Sequence, residues 1–266
     1  MKNFPQELVD EVVDELLPLV EWNPTPHYNE DYCEGGISCY STVSKAWAGR
    51  AQKHHFSNVC FDHPTILKKW RTRIAADPNG VSRHVRELLV SVTAMTPPEL
   101  EGLKEHLNAF TGIKSLTIYG AHENMDILQH PFIKEWFDRP VGSSLIELQL
   151  NRLVARQRTI ASLVASLPLL QILDVSDLKC AEDAGETDPP TPPRIPFFEG
   201  ANHFIFRAGK SLDWVPSSAR FGQLEIAYVP HLRELGPVNR WLASSSATLT
   251  DLTIGVGPVN CVSQLK

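Results

Sequence analysis

Six metal-ligating side chains fall within a stretch of 31 residues: Cys33, Cys39, His54, His55, Cys60 and His63. Structural zinc sites usually draw ligands in close pairs with about two to four residues between them. Cys60-Phe61-Asp62-His63 has that spacing, but Cys33 and Cys39 have five residues between them. The group reads as buried cysteines and helix-surface histidines, and no metal is expected. Gly209-Lys210-Ser211 has the ending of a phosphate-binding loop, but that motif needs glycine at position 204, which is Phe204. Neither a Gly-x-Ser-x-Gly elbow nor a His-Glu-x-x-His pair occurs. Serine, histidine and aspartate are plentiful, yet no spacing selects three of them as a triad. The expectation is a non-catalytic protein with no catalytic residues and no cofactor.

Composition narrows the classes further. The chain has 266 residues, 42% of them apolar, enough for a substantial core. A net charge of −6 argues against a general nucleic-acid binder. Five cysteines without regular spacing suggest a reducing compartment rather than a disulfide framework. The first apolar stretch is broken by Glu7, Asp10, Glu11, Asp14 and Glu15, so no signal peptide is read there. The most apolar window, 163–173, is too short for a membrane span. These features predict a soluble protein of the cytoplasm, the nucleus or both. Charge is unevenly placed. Nine basic residues lie between Lys45 and Arg86, opposed only by Asp62 and Asp77. They read as solvated helix faces, with a basic surface for nucleic acid or an acidic partner as the sharper alternative.

The pattern apolar-x-x-apolar-x-apolar runs through most of the chain. It reads Val85-Leu88-Val90, Ile113-Leu116-Ile118, Leu145-Leu148-Leu150, Leu170-Leu173-Val175, Phe221-Leu224-Ile226 and Leu249-Leu252-Ile254. Ala201-Phe204-Phe206 is a weaker copy. Starts are separated by 28, 32, 25, 31, 20 and 28 residues. Such repetition predicts a solenoid, which presents a long binding surface rather than a closed pocket. Each copy reads as a short strand, and helical segments lie between them, among them one with Ile160, Leu163, Val164 and Leu167 and one with Val238, Trp241 and Leu242. Crossovers of that length make successive strands parallel. Residues 181–196 are acidic and proline-rich, and read as a mobile excursion.

Ahead of the repeats, helices are expected over 4–17, about 37–53 and 64–76. In the first, Phe4, Leu8, Val12 and Leu16 recur every four residues, with Val9, Val13 and Leu17 alongside. Pro5 suits the first turn. An irregular loop over 18–36 and a short apolar stretch, Phe56, Val59 and Phe61, separate them.

Phe4-Pro5-x-Glu7-Leu8 opening a helix, followed by Val43-Ser44-Lys45-x-Trp47 and Phe56, resembles an F-box. The basic helix over 64–76, Val85-Arg86-Glu87-Leu88 and the degenerate leucine-rich repeats resemble F-box proteins abundant in mushroom-forming fungi. The resemblance implies an F-box-like helical domain over 1–62, a connecting helix and turn over 63–82, and a leucine-rich-repeat arc over 83–266. The fold class is then α/β, with a parallel sheet in the solenoid. It also implies a substrate-recognition subunit of an SCF-type ubiquitin ligase, with a Skp-type adaptor and a cullin scaffold as partners and a target protein still to be named. The runner-up is a leucine-rich-repeat interaction protein acting without ligase assembly. Two departures stand out. The loop between the first two helices, about 19 residues, is long for the family. The repeats also lack the Asn or Cys that ordinarily bonds the turn backbone: those positions hold Thr93, Ala121, Leu153, Leu178, Gly209, Val229 and Gly257.

Carried over residue by residue, the adaptor contact falls on Phe4, Pro5, Leu8 and Val12, with Val43, Trp47 and Phe56 shared between that contact and the module's own core. In a leucine-rich arc the residues alternating with the apolar ones face the concave side. The exposed target-binding candidates are then Tyr119, Glu147, Ile172, Asp174, His203, Ile205 and Arg207. Tyr119, Ile172, Ile205 and Arg207 are the expected anchors among them, since aromatic side chains and arginine dominate binding energy.

Overall fold

The computed structural model describes residues 5–16, 45–76, 80–94, 96, 99, 102–103, 109–120, 128, 137, 140–180, 195–200, 202–209, 215–227 and 235–255. Within them the protein is mixed α/β with a parallel sheet. Strands β1 (Asn58–Phe61), β2 (Glu87–Ser91), β3 (Ser115–Tyr119), β4 (Glu147–Asn151), β6 (Ile172–Cys180), β7 (Asn202–Gly209), β8 (Phe221–Ala227) and β9 (Asp251–Gly255) lie side by side in chain order. The short β5 (Val154–Ala155) adds a separate parallel ladder to β6.

Alternation along each strand sends one set of side chains into the core. Leu88, Leu116, Leu148, Leu173, Phe204 and Leu224 form one buried row, and Val90, Ile118, Leu150, Val175, Phe206 and Ile226 the next. Ala201 lies outside the described residues, yet Phe204 and Phe206 of its weaker copy are as buried as their leucine counterparts. The last strand departs from expectation. Leu252 and Ile254 continue the two rows but are 41% and 45% exposed. Among the described residues nothing lies beyond β9 to cover them.

Backbone bonds repeat at both ends of the strands. From β1 to β4, the carbonyl before each strand accepts two N–H groups at the start of the next. Arg86 O takes Lys114 N and Ser115 N at 2.7 and 3.0 Å, and Lys114 O takes Ile146 N and Glu147 N at 2.8 and 2.9 Å. At the exits, Gly120, Arg152 and Asp177 occupy equivalent positions, and all three have left-handed φ, of 94°, 54° and 51°. Gly120 N donates to Asn151 O and Arg152 N to Ser176 O, each at 2.8 Å. These bonds supply the turn partners that an Asn ladder would otherwise give. The ladder positions Leu153 and Leu178 are free to be apolar and are buried. Gly120 also has no room for a side chain, because a Cβ there would lie 2.5 Å from Thr93 Cγ2.

Helix α1 (Gln6–Leu16) packs on α2 (Lys45–His55). Helix α3 (Pro64–Ala76) closes the first end of the core, where Trp70 meets Phe56, Phe61 and Phe110 with ring centroids 5.4–6.3 Å apart. The apolar stretch around Val59 is thus the first strand of the sheet, and the core runs unbroken from β1 onward. Two shorter helices follow, α4 (Pro140–Ser144) and α5 (Gln157–Ala165), which buries Ile160 and Val164. In α6 (Leu235–Ser245) Trp241 is fully buried against Phe204 and Phe221, and its Nε1 donates to Pro216 O at 3.1 Å. Most of the proline-rich segment lies outside the described residues. Its end does not project: Ile195 is buried, and the 3₁₀ turn Pro196–Glu199 buries Phe197 and Phe198. No helix among the described residues is long and apolar enough to cross a membrane.

Candidate binding surfaces

Helix α1 divides its apolar residues between two sides. Val9 is buried, whereas Leu8 and Val12, one turn apart, are 44% and 40% exposed. Pro5 is exposed at the helix start, and Phe4 and Val43 lie outside the described residues. Trp47 on α2 is half-buried. Phe56 is committed to the core, edge-on to Trp70 at 5.7 Å with the Arg73 guanidinium 5.5 Å over its ring.

A carboxylate clamps the two helices together. Arg50 donates from Nε to Asp14 Oδ1 at 2.8 Å and from Nη2 to Oδ2, and His54 Nε2 meets Oδ1 at 2.8 Å. The hydrogen bonds from Arg50, aided by His54, hold the Asp14 carboxyl down from 3.8 to about 2 against the opposing effect of burial. A carboxyl depressed on folding stabilises above its unfolded value and loses that contribution as pH falls through its folded one. α1 should therefore loosen from α2 between about pH 4 and pH 2. Asp14→Asn should already be loosened at pH 7 and show no such step. Chemical shifts of the α1 amides followed against pH check this, and an unchanged step in the variant would remove the clamp from the account.

The second surface is the sheet face opposite the core. Register aligns its side chains in three rows across the strands. One joins Glu87, Ser115, Glu147, Ile172, His203, Gln223 and Asp251. The next joins Leu89, Thr117, Gln149, Asp174, Ile205, Glu225 and Thr253. The third includes Tyr119, Asn151, Ser176 and Arg207. Six of the seven candidates have described side chains. Tyr119, Glu147, Ile172 and His203 are half-buried. The side chain of Arg207 lies outside the described set.

Asp174 and Ile205 depart from the exposure expected of them. They are adjacent in the middle row, walled in by Gln149, Glu225 and the flanking residues of their own strands, and only 6% and 9% exposed. The Ser176 hydroxyl donates to Asp174 Oδ1 at 3.0 Å. Gln149 links two neighbours, with Thr117 Oγ1 donating to its Oε1 at 3.3 Å and its Nε2 donating to Glu147 at 2.7 Å. Burial, and then the negative charge of Glu147, push the Glu87 carboxyl above its ordinary value.

Arg152 is the surface residue that sequence reasoning misses. Its Nη1 donates to Tyr119 Oη at 2.8 Å, its guanidinium sits 5.6 Å from the centre of that ring, and Nε lies 3.8 Å from Asp177 Oδ2. It sits just past a strand in left-handed backbone, outside the alternation that identifies face residues. Among the metal-type residues, His54 is bonded to Asp14, His63 Nδ1 to Thr65 at 2.7 Å, and Cys60 lies on β1. Cys33 and Cys39 lie outside the described residues. Among the described residues no three potential ligands converge.

No protein-family model matches this chain, and no curated protein matches it in sequence.

Proposed function

We propose that this protein is the substrate-recognition subunit of an SCF-type ubiquitin ligase. In this reading α1 and α2 form an F-box-like module that binds a Skp-type adaptor and, through it, a cullin scaffold. The parallel sheet is a leucine-rich-repeat-type arc whose open face binds a target protein. The observation that carries the reading is the exposure of Leu8 and Val12 on one side of α1. These are the positions where the F-box resemblance puts the adaptor contact, and an apolar pair left in solvent has burial to gain. The protein supplies no covalent chemistry. It acts by proximity, holding a target near the charged conjugating enzyme.

The purified protein, a Skp-type adaptor and a cullin should co-elute as one complex in size-exclusion chromatography. Separate elution of chain and adaptor at micromolar concentration would overturn the ligase role and leave the open face as that of an interaction protein alone. Target capture should depend on side chains spread along that face. Tyr119→Ala and Ile172→Ala should each weaken it by about 1–2 kcal/mol while adaptor binding is unchanged. Loss of adaptor binding in either variant would contradict the division of labour.

A further inference from the structure

Of the nine basic residues between Lys45 and Arg86, Arg50 and Arg73 are used by the contacts described above, and folding gathers three of the others into one corner. The 3₁₀ turn Val81–His84, just before β2, packs against both α2 and α3. Arg83 projects from the turn, exposed, and its Nε donates to His84 Nε2 at 3.3 Å. That imidazole nitrogen therefore carries a lone pair, and the ring is neutral. Arg86 follows two residues after His84. Its Nη1 donates to Gly112 O at 3.0 Å and Arg83 O at 3.1 Å. The guanidinium lies where a side chain at 112 would be, since a Cβ on Gly112 would stand 1.8 Å from Nη1. Lys53, exposed on α2, completes the group. The helix that carries Lys53 packs on the turn that carries Arg83 and His84, and burial, then the charges of Arg83, Arg86 and Lys53, hold His84 below its ordinary value. Among the described residues no carboxylate pairs with Lys53, Arg83 or Arg86.

Like charges gathered without a counter-charge among the described residues repel one another, and an anion set among them relieves that repulsion. The surroundings limit its length. Helix α1, packed on the same α2 that carries Lys53, exposes Glu7, Glu11 and Glu15. These carboxylates and the net negative charge of the chain disfavour a long polyanion. Nucleic-acid binding needs a basic stripe that neutralises many phosphates, and this corner offers three cations. We propose that Lys53, Arg83 and Arg86 form an anchoring corner for a short carboxylate-rich peptide segment of a partner protein. This inference does not depend on the ubiquitin-ligase reading.

The test uses the full chain, a fluorescein-labelled peptide of about six consecutive glutamates, and a thymidine oligomer of equal charge, in dilute buffer where surface charges act over a long range. The peptide should bind by fluorescence anisotropy, and the oligomer more weakly. An exposed ion pair is worth up to about fivefold in affinity, so Lys53→Gln with Arg83→Gln should weaken the peptide by up to about twenty-five-fold. Arg240→Gln, on exposed α6 surface at the other end of the sheet, should leave it unchanged. The His84 ring resonances should report a raised ionisation midpoint when the peptide is bound. Tighter binding of the oligomer would assign the corner to nucleic acid and overturn the proposal. It would equally be overturned by an absence of peptide binding, by full binding in the double variant, or by an equal loss in Arg240→Gln.

Discussion

Leu148→Ala should destabilise the protein by about 2–5 kcal/mol, while Leu252→Ala should stay within about 0.5 kcal/mol of wild type. Both leucines hold the same place in the repeated pattern, so sequence alone assigns them equal weight. Their surroundings differ. Leu148 is fully buried, with Leu116 and Leu173 paired to it on the two neighbouring strands. Truncation there leaves a void walled on both sides by rigid strands, and the structure relaxes only in part. Leu252 has Leu224 on one side and is 41% exposed. Its alanine variant loses little burial and opens no cavity. Urea denaturation checks the pair: the Leu148 variant should shift its midpoint without a change of slope. Equal losses at the two positions would mean that β9 is covered as the inner strands are. No loss at Leu148 would mean that β4 does not sit in register between β3 and β6.

The contrast between these two leucines marks what the sequence can convey. Period and alternation identify a parallel sheet because they repeat, and each copy specifies the same local geometry whatever surrounds it. The inward rows, the helices carrying Ile160 and Trp241, and the basic helix over 64–76 are legible for that reason. Alternation says which side of a sheet a residue faces, but nothing of how crowded that side is. It predicts exposure for Asp174 and Ile205, yet they sit mid-row where neighbouring strands wall them in. Strand β1 escapes a sequence reading because Val59 and Phe61 make too short a run to show a period. Arg152 escapes it because its placement over Tyr119 follows from left-handed backbone at residue 152, which no arginine announces. The clamp of Asp14 by Arg50 and His54 joins residues 36 and 40 apart in sequence, and no local pattern relates them.

Leu8→Asp combined with Val12→Asp should abolish binding of a Skp-type adaptor while leaving the protein folded. A specific protein contact buries on the order of 1,200–2,000 Å², and a few apolar anchors carry most of its energy at about 2 kcal/mol or more each. In the proposed complex Leu8 and Val12 are such anchors. Replacing both would remove that burial and place two carboxylates in a desolvated contact without partners, a further penalty of several kcal/mol. Together these effects exceed about 4 kcal/mol, or roughly a thousandfold in affinity. The double variant should still fold, because both side chains already meet solvent and α1 is held by Val9 and by Asp14 with Arg50 and His54. Val9→Asp serves as the contrast: it puts a charge into the α1–α2 contact and should release the helix itself. Pull-down of the adaptor, read beside amide chemical shifts of α1, separates the cases. A double variant that keeps α1 docked and loses the adaptor supports the contact. Undiminished co-purification would show that this face of α1 does not make it, and the exposed pair would then need another partner.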